Sequence, residues 1–239
     1  MIEEGFKMKA VVLFSGGLDS TTLLYWARAQ GKEVRALSFD YGQKHRLEIE
    51  LAWQTCLQLK IPRDILLVDL RPIGGSALTS NSLPIPTATS LEEEKSFSGP
   101  PLTYVPFRNG IFLSLTAAWA EARSIQEIIC GFHVHDSPEY PDTTEKFVKA
   151  MEQAINNGTK AAFGFPPFKI ICPFLTLGKA DILRIGLQLG ADYSYSLSCY
   201  RGAEIPCGRC PACFYRQKAW QEVGEEDHLL SRLRREGKI

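Results

Sequence analysis

Two groups of residues in this chain have the types and spacing to do chemistry. The first is the string Ser15-Gly16-Gly17-Leu18-Asp19-Ser20. Paired glycines let successive backbone N–H groups turn into one concavity, and the start of a following helix adds free donors and the positive end of its dipole. Ser15 and Ser20 can add hydroxyl donors, so the string suits phosphates. Asp19 cannot donate when ionised; it is expected to cap the helix or to help hold a magnesium ion that bridges phosphates. No Gly-Lys-Ser/Thr ending follows, which excludes a Walker-type loop. The second group is Cys199-x7-Cys207-x2-Cys210-x2-Cys213. Four thiolates with two tight turns, at Gly208 and Pro211, fill the tetrahedral shell of a zinc ion and leave no position open for water. The expected site is therefore structural rather than catalytic. An iron–sulfur cluster is the main alternative occupant, although the spacing does not match the ferredoxin patterns.

The elements that must position these groups alternate between short apolar runs and amphipathic stretches, as βα units of a mostly parallel sheet do. Strands are expected at Ala10–Phe14, Val34–Phe39, Ile65–Asp69, Glu127–Cys130 and Ile170–Cys172. Helices are expected at Ser20–Gln30, Glu48–Leu59, Asn109–Arg123, Thr143–Ile155, Lys179–Leu189, Arg216–Val223 and Glu226–Arg235. From Arg71 to Pro106 the pattern dissolves into prolines and glycines, which reads as a lid over the site at 71–106. The fold class is α/β, a Rossmann-like doubly wound sheet over residues 1–195, followed at 196–239 by a zinc knuckle and C-terminal helices.

Composition narrows the function classes. With 27 basic and 27 acidic residues the formal net charge is zero, so no direct nucleic-acid partner is expected. No run approaches the ~18 apolar residues of a membrane span, and the N-terminal residues resemble no targeting signal. A soluble, cytoplasmic protein is expected. In a reducing compartment the clustered cysteines favour metal over disulfides, while Cys56, Cys130 and Cys172 read as small buried hydrophobes. Leu229, Leu230 and Leu233 on the last helix offer a contact for a homodimer.

The string Ser15–Ser20 directly after a first strand resembles the pyrophosphate loop of the N-type ATP pyrophosphatases, relatives of the adenine-nucleotide α hydrolases. Together with Asp40-Tyr41-Gly42-Gln43-Lys44-His45, Val105-Pro106-Phe107-Arg108-Asn109, Tyr140-Pro141-Asp142, Lys179-Ala180-Asp181-Ile182 and Cys207-Gly208-Arg209-Cys210-Pro211-Ala212-Cys213, it resembles the 7-cyano-7-deazaguanine synthase family over nearly the whole chain. One segment departs from that pattern. Where the family usually reads Ser-Gly-Tyr-Pro-Asp-Cys-Arg, the arginine position is Thr144.

The resemblance implies an ATP-dependent ligase that converts 7-carboxy-7-deazaguanine and ammonia into the nitrile preQ0, for queuosine synthesis, through an adenylated acid and an adenylated amide. It places the nucleotide along Phe14, Ser15, Gly16, Gly17, Leu18, Asp19, Ser20, Thr21, Thr22, Leu23 and Leu24, with Ser38, Phe39 and Tyr41 framing adenine. Asp19, Ser20, Arg108 and Lys179 would be catalytic; Arg108, Asn109, Asp136, Tyr140 and Asp142 would bind substrate. Asp142 has an alternative role as a helix N-cap. ATP, Mg2+ and one structural Zn2+ are the implied cofactors, with Cys199, Cys207, Cys210 and Cys213 as metal ligands. Three rivals stay open: another ATP pyrophosphatase, such as a tRNA-thiolating or amide-forming enzyme, a paralogue acting on a different carboxylate, and a zinc-knuckle RNA-binding module on a degenerate ATP fold. Because formation of a metal site contributes to folding, chelation is expected to lower the melting temperature; an unchanged thermal unfolding curve after metal removal, verified by metal analysis, overturns the metal assignment.

Overall fold

The computed structural model describes residues 8–87, 99–133 and 140–239. Its centre is a sheet of five strands in the order β3-β2-β1-β4-β5, with β1 at Lys9–Leu13, β2 at Glu33–Asp40, β3 at Arg63–Leu67, β4 at Glu127–Ile129 and β5 at Lys169–Ile171. All four pairings are parallel, and β1 lies in register with both β2 (Val11 opposite Arg35) and β4 (Val11 opposite Ile128). Chain order reverses between β1 and β4, and in sheets of this kind ligands bind at that crevice beyond the carboxyl ends of the strands.

The two faces of the sheet follow from side-chain alternation along the strands. Ala10, Val12 and Phe14 of the first strand, with Ala36 and Ile129, face one layer; Val11, Leu37, Phe39, Ile128 and Cys130 face the other. The first layer is built by α1 (Leu18–Ala29), α2 (Leu47–Leu59), α5 (Lys179–Gln188) and α6 (Pro211–Val223), through Leu23, Leu24, Ala52, Leu183 and Trp220. The second is built by α3 (Arg108–Glu121) and α4 (Glu145–Gly158), through Leu113, Trp119, Val148 and Ile155. Ala219 and Trp220 of the C-terminal segment thus share a core with the first βα unit.

Several boundaries differ from expectation for identifiable reasons. The first helix starts at Leu18, two residues before Ser20, so Asp19 lies inside its first turn instead of capping it; the cap position is Gly17. The third strand runs Arg63–Leu67, displaced toward the N-terminus from Ile65–Asp69, because it pairs with β2 from Ala36 to Asp40. Helix α6 begins at Pro211, five residues before Arg216, and Cys210 is its N-cap; proline is favoured at a first helical position. Pro211 is therefore a helix start and not a free turn. The last helix, α7 (His228–Arg235), is capped by the Asp227 carboxylate, which accepts from Leu229 N–H at 2.9 Å. Its Leu229 and Leu233 are fully buried against Leu197, Cys199 and Cys213, so the apolar face expected to join two subunits is spent inside the chain.

The segment expected as a lid is partly packed. Ser76, Ala77, Leu78, Thr79, Thr103 and Val105 are buried, and Ala77 N–H donates to the Leu102 carbonyl, closing the two described ends of the segment on each other. Residues 88–98 of that segment lie outside the described residues.

One close approach sets the spacing of the first layer. A Cβ at Gly186 on α5 would lie 1.7 Å from the Tyr193 hydroxyl, which is buried and hydrogen-bonded to Thr22 Oγ1 of α1 at 2.7 Å. Overpacking such a contact costs about 1–3 kcal/mol. Gly186→Ala is expected to lower unfolding free energy by about 2 kcal/mol or more in urea titration, with an unchanged value counting against this contact.

Candidate active site

Phosphate-loop geometry begins where β1 ends. Gly16 takes φ +91°, a conformation that side chains rarely adopt, and a Cβ there would meet Ala52 Cβ and the Glu48 carbonyl at 2.7 Å. Its carbonyl accepts from Leu197 N–H at 3.0 Å, tying the loop to the C-terminal segment. The two serines hold the turn: Gly16 N–H donates to Ser20 Oγ at 3.1 Å, Gly17 N–H to Ser15 Oγ at 3.3 Å, and the two hydroxyls lie 3.1 Å apart. Ser38 Oγ donates to the Phe14 carbonyl at 2.5 Å and accepts from Arg63 Nε at 2.9 Å, pinning the second strand end to the first.

Asp19, on the first turn of α1, faces a cation. Lys179, the first residue of α5, donates through Nζ to Asp19 Oδ2 at 2.7 Å, and His133 Nε2 lies 3.4 Å from the same oxygen. Burial by itself would raise the Asp19 carboxyl, but the Lys179 ammonium and His133 outweigh it and hold the group below the usual carboxylate range. Oδ1 of Asp19 is buried and has no hydrogen-bond partner among the described residues, which leaves it available to a hard cation. Gly131, just after β4, brings its backbone beside Asp19, with its Cβ position 3.8 Å from the Asp19 carbonyl.

These groups line a cavity of about 340 Å³, within the ~300–1,000 Å³ usual for small-molecule sites. Phe39 stacks on Phe112 of α3 at 4.0 Å in its wall. Ser198, Tyr200, Pro211, Ala212 and Tyr215 close another side, so the segment carrying the cysteines is also a wall of the cavity.

The remaining wall is a buried polar cluster. Arg108, first residue of α3, donates from Nη1 to the Tyr41 hydroxyl at 3.2 Å, and its guanidinium lies over the Tyr41 and Phe112 rings at 5.7 and 5.9 Å. The Tyr41 hydroxyl lies 3.4 Å from His45 Nε2, which in turn lies 3.3 Å from Glu48 Oε1. Burial pulls the His45 imidazole down to about 3 and pushes the Glu48 carboxyl up to about 8; the Arg108 charge works with burial at His45 and against it at Glu48. Tyr41 belongs to this cluster and, with Ser38 and Phe39, lines the cavity.

Several expected site residues stand elsewhere. Thr21, Thr22, Leu23 and Leu24 do not line the cavity: Thr21 and Thr22 bond the carbonyls of Gly17 and Leu18, and the leucines fill the core, because these turns of α1 face the sheet. Gly16 contributes a close approach to α2. Asp142 is drawn to the start of α3, where its Oδ2 accepts from Asn109 N–H at 3.0 Å and its carbonyl from Asn109 Nδ2 at 3.3 Å. It caps that helix, whereas its own following helix is capped by Thr144, which accepts from Phe147 N–H at 3.2 Å. Thr144, at the position where the sequence departs from the family pattern, is therefore a helix cap outside the cavity wall. Asn109 and Tyr140 line the cavity, with the Tyr140 hydroxyl 2.8 Å from Thr103 Oγ1. Asp136 lies outside the described residues. His45 and Glu48 carried no expectation; an acid in the first turn of a helix reads as a solvated group favoured by the dipole.

The four sulfurs of Cys199, Cys207, Cys210 and Cys213 lie within 4.8 Å of one another. Cys207 and Cys213 Sγ are 3.9 Å apart, close to the ~3.8 Å edge of a tetrahedron with ~2.3 Å metal–sulfur bonds. Cys207 N–H points to Cys199 Sγ and Cys210 N–H to Cys207 Sγ, each at 3.4 Å, as donors that stabilise thiolates do. The separations suit a single ion better than a multi-iron cluster, which spreads its thiolates around a larger core.

A protein-family model described as "Queuosine biosynthesis protein QueC" matches residues 9–224. The chain belongs to this family. It is 40% identical over 224 residues to the 7-cyano-7-deazaguanine synthase of Nostoc punctiforme, covering 93% of this chain and 99% of that protein. It is 44% identical over 224 residues to the protein of the same name from Thermoplasma acidophilum, covering 93% and 92%. Among solved structures, a 4-thiouridine synthetase in complex with RNA and bound ATP aligns with TM-score 0.51 at 17% identity, over 91% of this chain and 50% of that one. This last likeness concerns the fold alone. The helices described in this family member include none long and apolar enough to cross a membrane.

Asp19→Asn and Ser20→Ala are expected to reduce ATP turnover by ~10²-fold or more, as loss of a preorganised charge or donor does, with little change in thermal unfolding. Near-normal turnover in both variants overturns the assignment of this loop.

Proposed function

We propose that the enzyme joins ammonia to the carboxylate of 7-carboxy-7-deazaguanine and then dehydrates the amide to the nitrile, consuming two ATP in the cytoplasm. The observation that carries this reading is a phosphate loop and a half-buried arginine, Arg108, opening into one cavity in a chain similar throughout to synthases of that nitrile. A carboxylate is a poor acyl donor because its leaving group would be oxide. Attack of its oxygen on the α-phosphorus of ATP releases pyrophosphate and gives an acyl adenylate whose leaving group is AMP. Ammonia then forms the amide. A second attack on ATP, by the amide oxygen, lets the C–O bond break with loss of N–H protons.

In this reading the loop amides and the hydroxyls of Ser15 and Ser20 hold pyrophosphate, and Ser38 and Phe39 border the nucleotide. Lys179 neutralises charge gathering at the α-phosphate. Asp19, with one carboxylate oxygen free, would help hold Mg2+, which would supply neutralisation of phosphate charge. Arg108 orients the acid through its planar fork of donors, in a position fixed by the Tyr41 hydroxyl and by the Asp142 cap on α3. Asn109 and Tyr140 border the purine-like ring. The four cysteines suit a structural Zn2+ that keeps Ser198, Tyr200 and the start of α6 in the cavity wall.

The test is product identity. Pyrophosphate release is expected to require both 7-carboxy-7-deazaguanine and ammonium and to be indifferent to RNA, with the nitrile found by mass spectrometry. Release stimulated by RNA instead moves the protein to the thiolating enzymes, and release with other acids alone overturns the substrate.

A further inference from the structure

Ammonia presents a problem that the residues assigned so far do not solve. Near neutral pH it exists mainly as ammonium, which has no lone pair to attack with, and the addition releases a further N–H proton. The cavity needs a group that binds a small cation and then takes a proton from it. Among the described residues that line it, the carboxylates are Asp19 and Glu48. Asp19 is engaged by Lys179 and His133. Glu48 is not used by any step above.

Its placement is informative. Glu48 lies on the first turn of α2 with 8% of its surface exposed, and its backbone carbonyl is the group that Gly16 must be a glycine to approach. The first turn of α2 is therefore held against the phosphate loop, and Glu48 lines the cavity. Its Oε1 lies 3.3 Å from His45 Nε2, and His45 is itself 5% exposed with Nδ1 lacking a hydrogen-bond partner among the described residues. Tyr41 and Tyr200 pack on the His45 ring at 6.3 and 5.9 Å, giving the pair a largely aromatic surround. The charged and polar groups that act on Glu48 are Arg108 from α3, Arg63 from β3 and Gln43. A buried carboxylic acid beside a neutral imidazole is costly to build, and nothing in the core requires it.

We propose that Glu48, oriented by His45, is the ammonium site of this enzyme and accepts the proton that frees the nitrogen for attack. As ammonium enters, the buried carboxylic acid gives its proton to solvent and becomes the counter-ion of the cation. One N–H proton passes to Glu48 Oε, and the pair becomes a carboxylic acid and ammonia, a neutral combination that low-dielectric surroundings favour over the ion pair. The nitrogen lone pair forms the C–N bond to the acyl carbon, the C–O bond to AMP breaks with its electrons on the phosphate, and a second N–H proton leaves with AMP. Glu48 returns its proton to solvent when the products depart. Burial that pushes the Glu48 carboxyl up to about 8 brings it toward the basicity of ammonia, where proton transfer is efficient.

The inference rests on the proposed reaction, and hydroxylamine separates the two. Hydroxylamine is mostly unprotonated at neutral pH and attacks an acyl adenylate without a base. In Glu48→Gln, ammonium-dependent turnover is expected to fall ~10²-fold or more, while acid-dependent ATP–pyrophosphate exchange and hydroxamate formation stay within about threefold of the unmodified enzyme. Glu48→Asp, which keeps the charge but retracts it, is expected to raise the KM for ammonium with little change for hydroxylamine, and it stands in if the glutamine variant does not fold. Retention of ammonium-dependent turnover in Glu48→Gln, an unchanged KM for ammonium in Glu48→Asp, or parallel loss of exchange, hydroxamate and ammonium activities, overturns the role of Glu48. Absence of acid-dependent exchange in the unmodified enzyme instead overturns the reaction itself.

Discussion

Three parts of the molecule meet at Gly16, and that meeting depends on a missing side chain. A Cβ at this residue would collide with Ala52 and with the Glu48 carbonyl of α2, while its own carbonyl holds Leu197 at the head of the cysteine segment. With φ at +91° the residue also bends the chain so that the loop after β1 turns into the first turn of α1. The loop, the buried carboxyl on α2 and the C-terminal wall are thus spaced by one contact. Any larger residue would separate them together.

The charges in the cavity fall into two groups. On the side of α1 and α5, Lys179 and Asp19 pair closely, with His133 arriving from the strand end beyond β4. On the side of α2 and α3, Arg108 is stacked on aromatic rings and bonded to a tyrosine, leaving Glu48 beside a neutral histidine. The first arrangement suits phosphate and metal, since the Lys179 and Asp19 side chains are of opposite charge and partly exposed. The second suits a carboxylate and a small nitrogen nucleophile, since desolvation there makes proton transfer inexpensive. Positive charge at Arg108 and Lys179 flanks the space where an acid and an α-phosphate would meet.

The cysteine segment is coupled to this space as well as to the four-sulfur cluster. Arg216 on α6 forms a buried pair with Asp227, at 2.5 and 2.7 Å, and also reaches Ser196 Oγ at 2.8 Å. Removing one partner of such a pair leaves an uncompensated buried charge, so the pair fixes the register of α6, α7 and the stretch from Ser196 to Cys199. Ser198 and Tyr200, which flank Cys199, thereby reach the cavity wall.

Much of this was legible along the chain. The glycine turn, the alternation of strands and helices, the parallel sheet and the four-cysteine spacing are local patterns, and each depends on residues near one another in sequence. The strand and helix positions could be read within a few residues because hydrophobic period and caps are local, whereas the shift of β3 came from its pairing with β2. What only the tertiary structure decided is which groups face each other across long separations. Asp142 caps α3, Leu229 and Leu233 turned inward, and Thr21 to Leu24 proved to face the core rather than the nucleotide cavity. Glu48 had no sequence signal at all, since an acid in the first turn of a helix is ordinary until a glycine loop, a histidine and an arginine from distant elements remove it from water. By itself the sequence determined the chemistry available to this protein; burial, which depends on the whole fold, decided where that chemistry is placed.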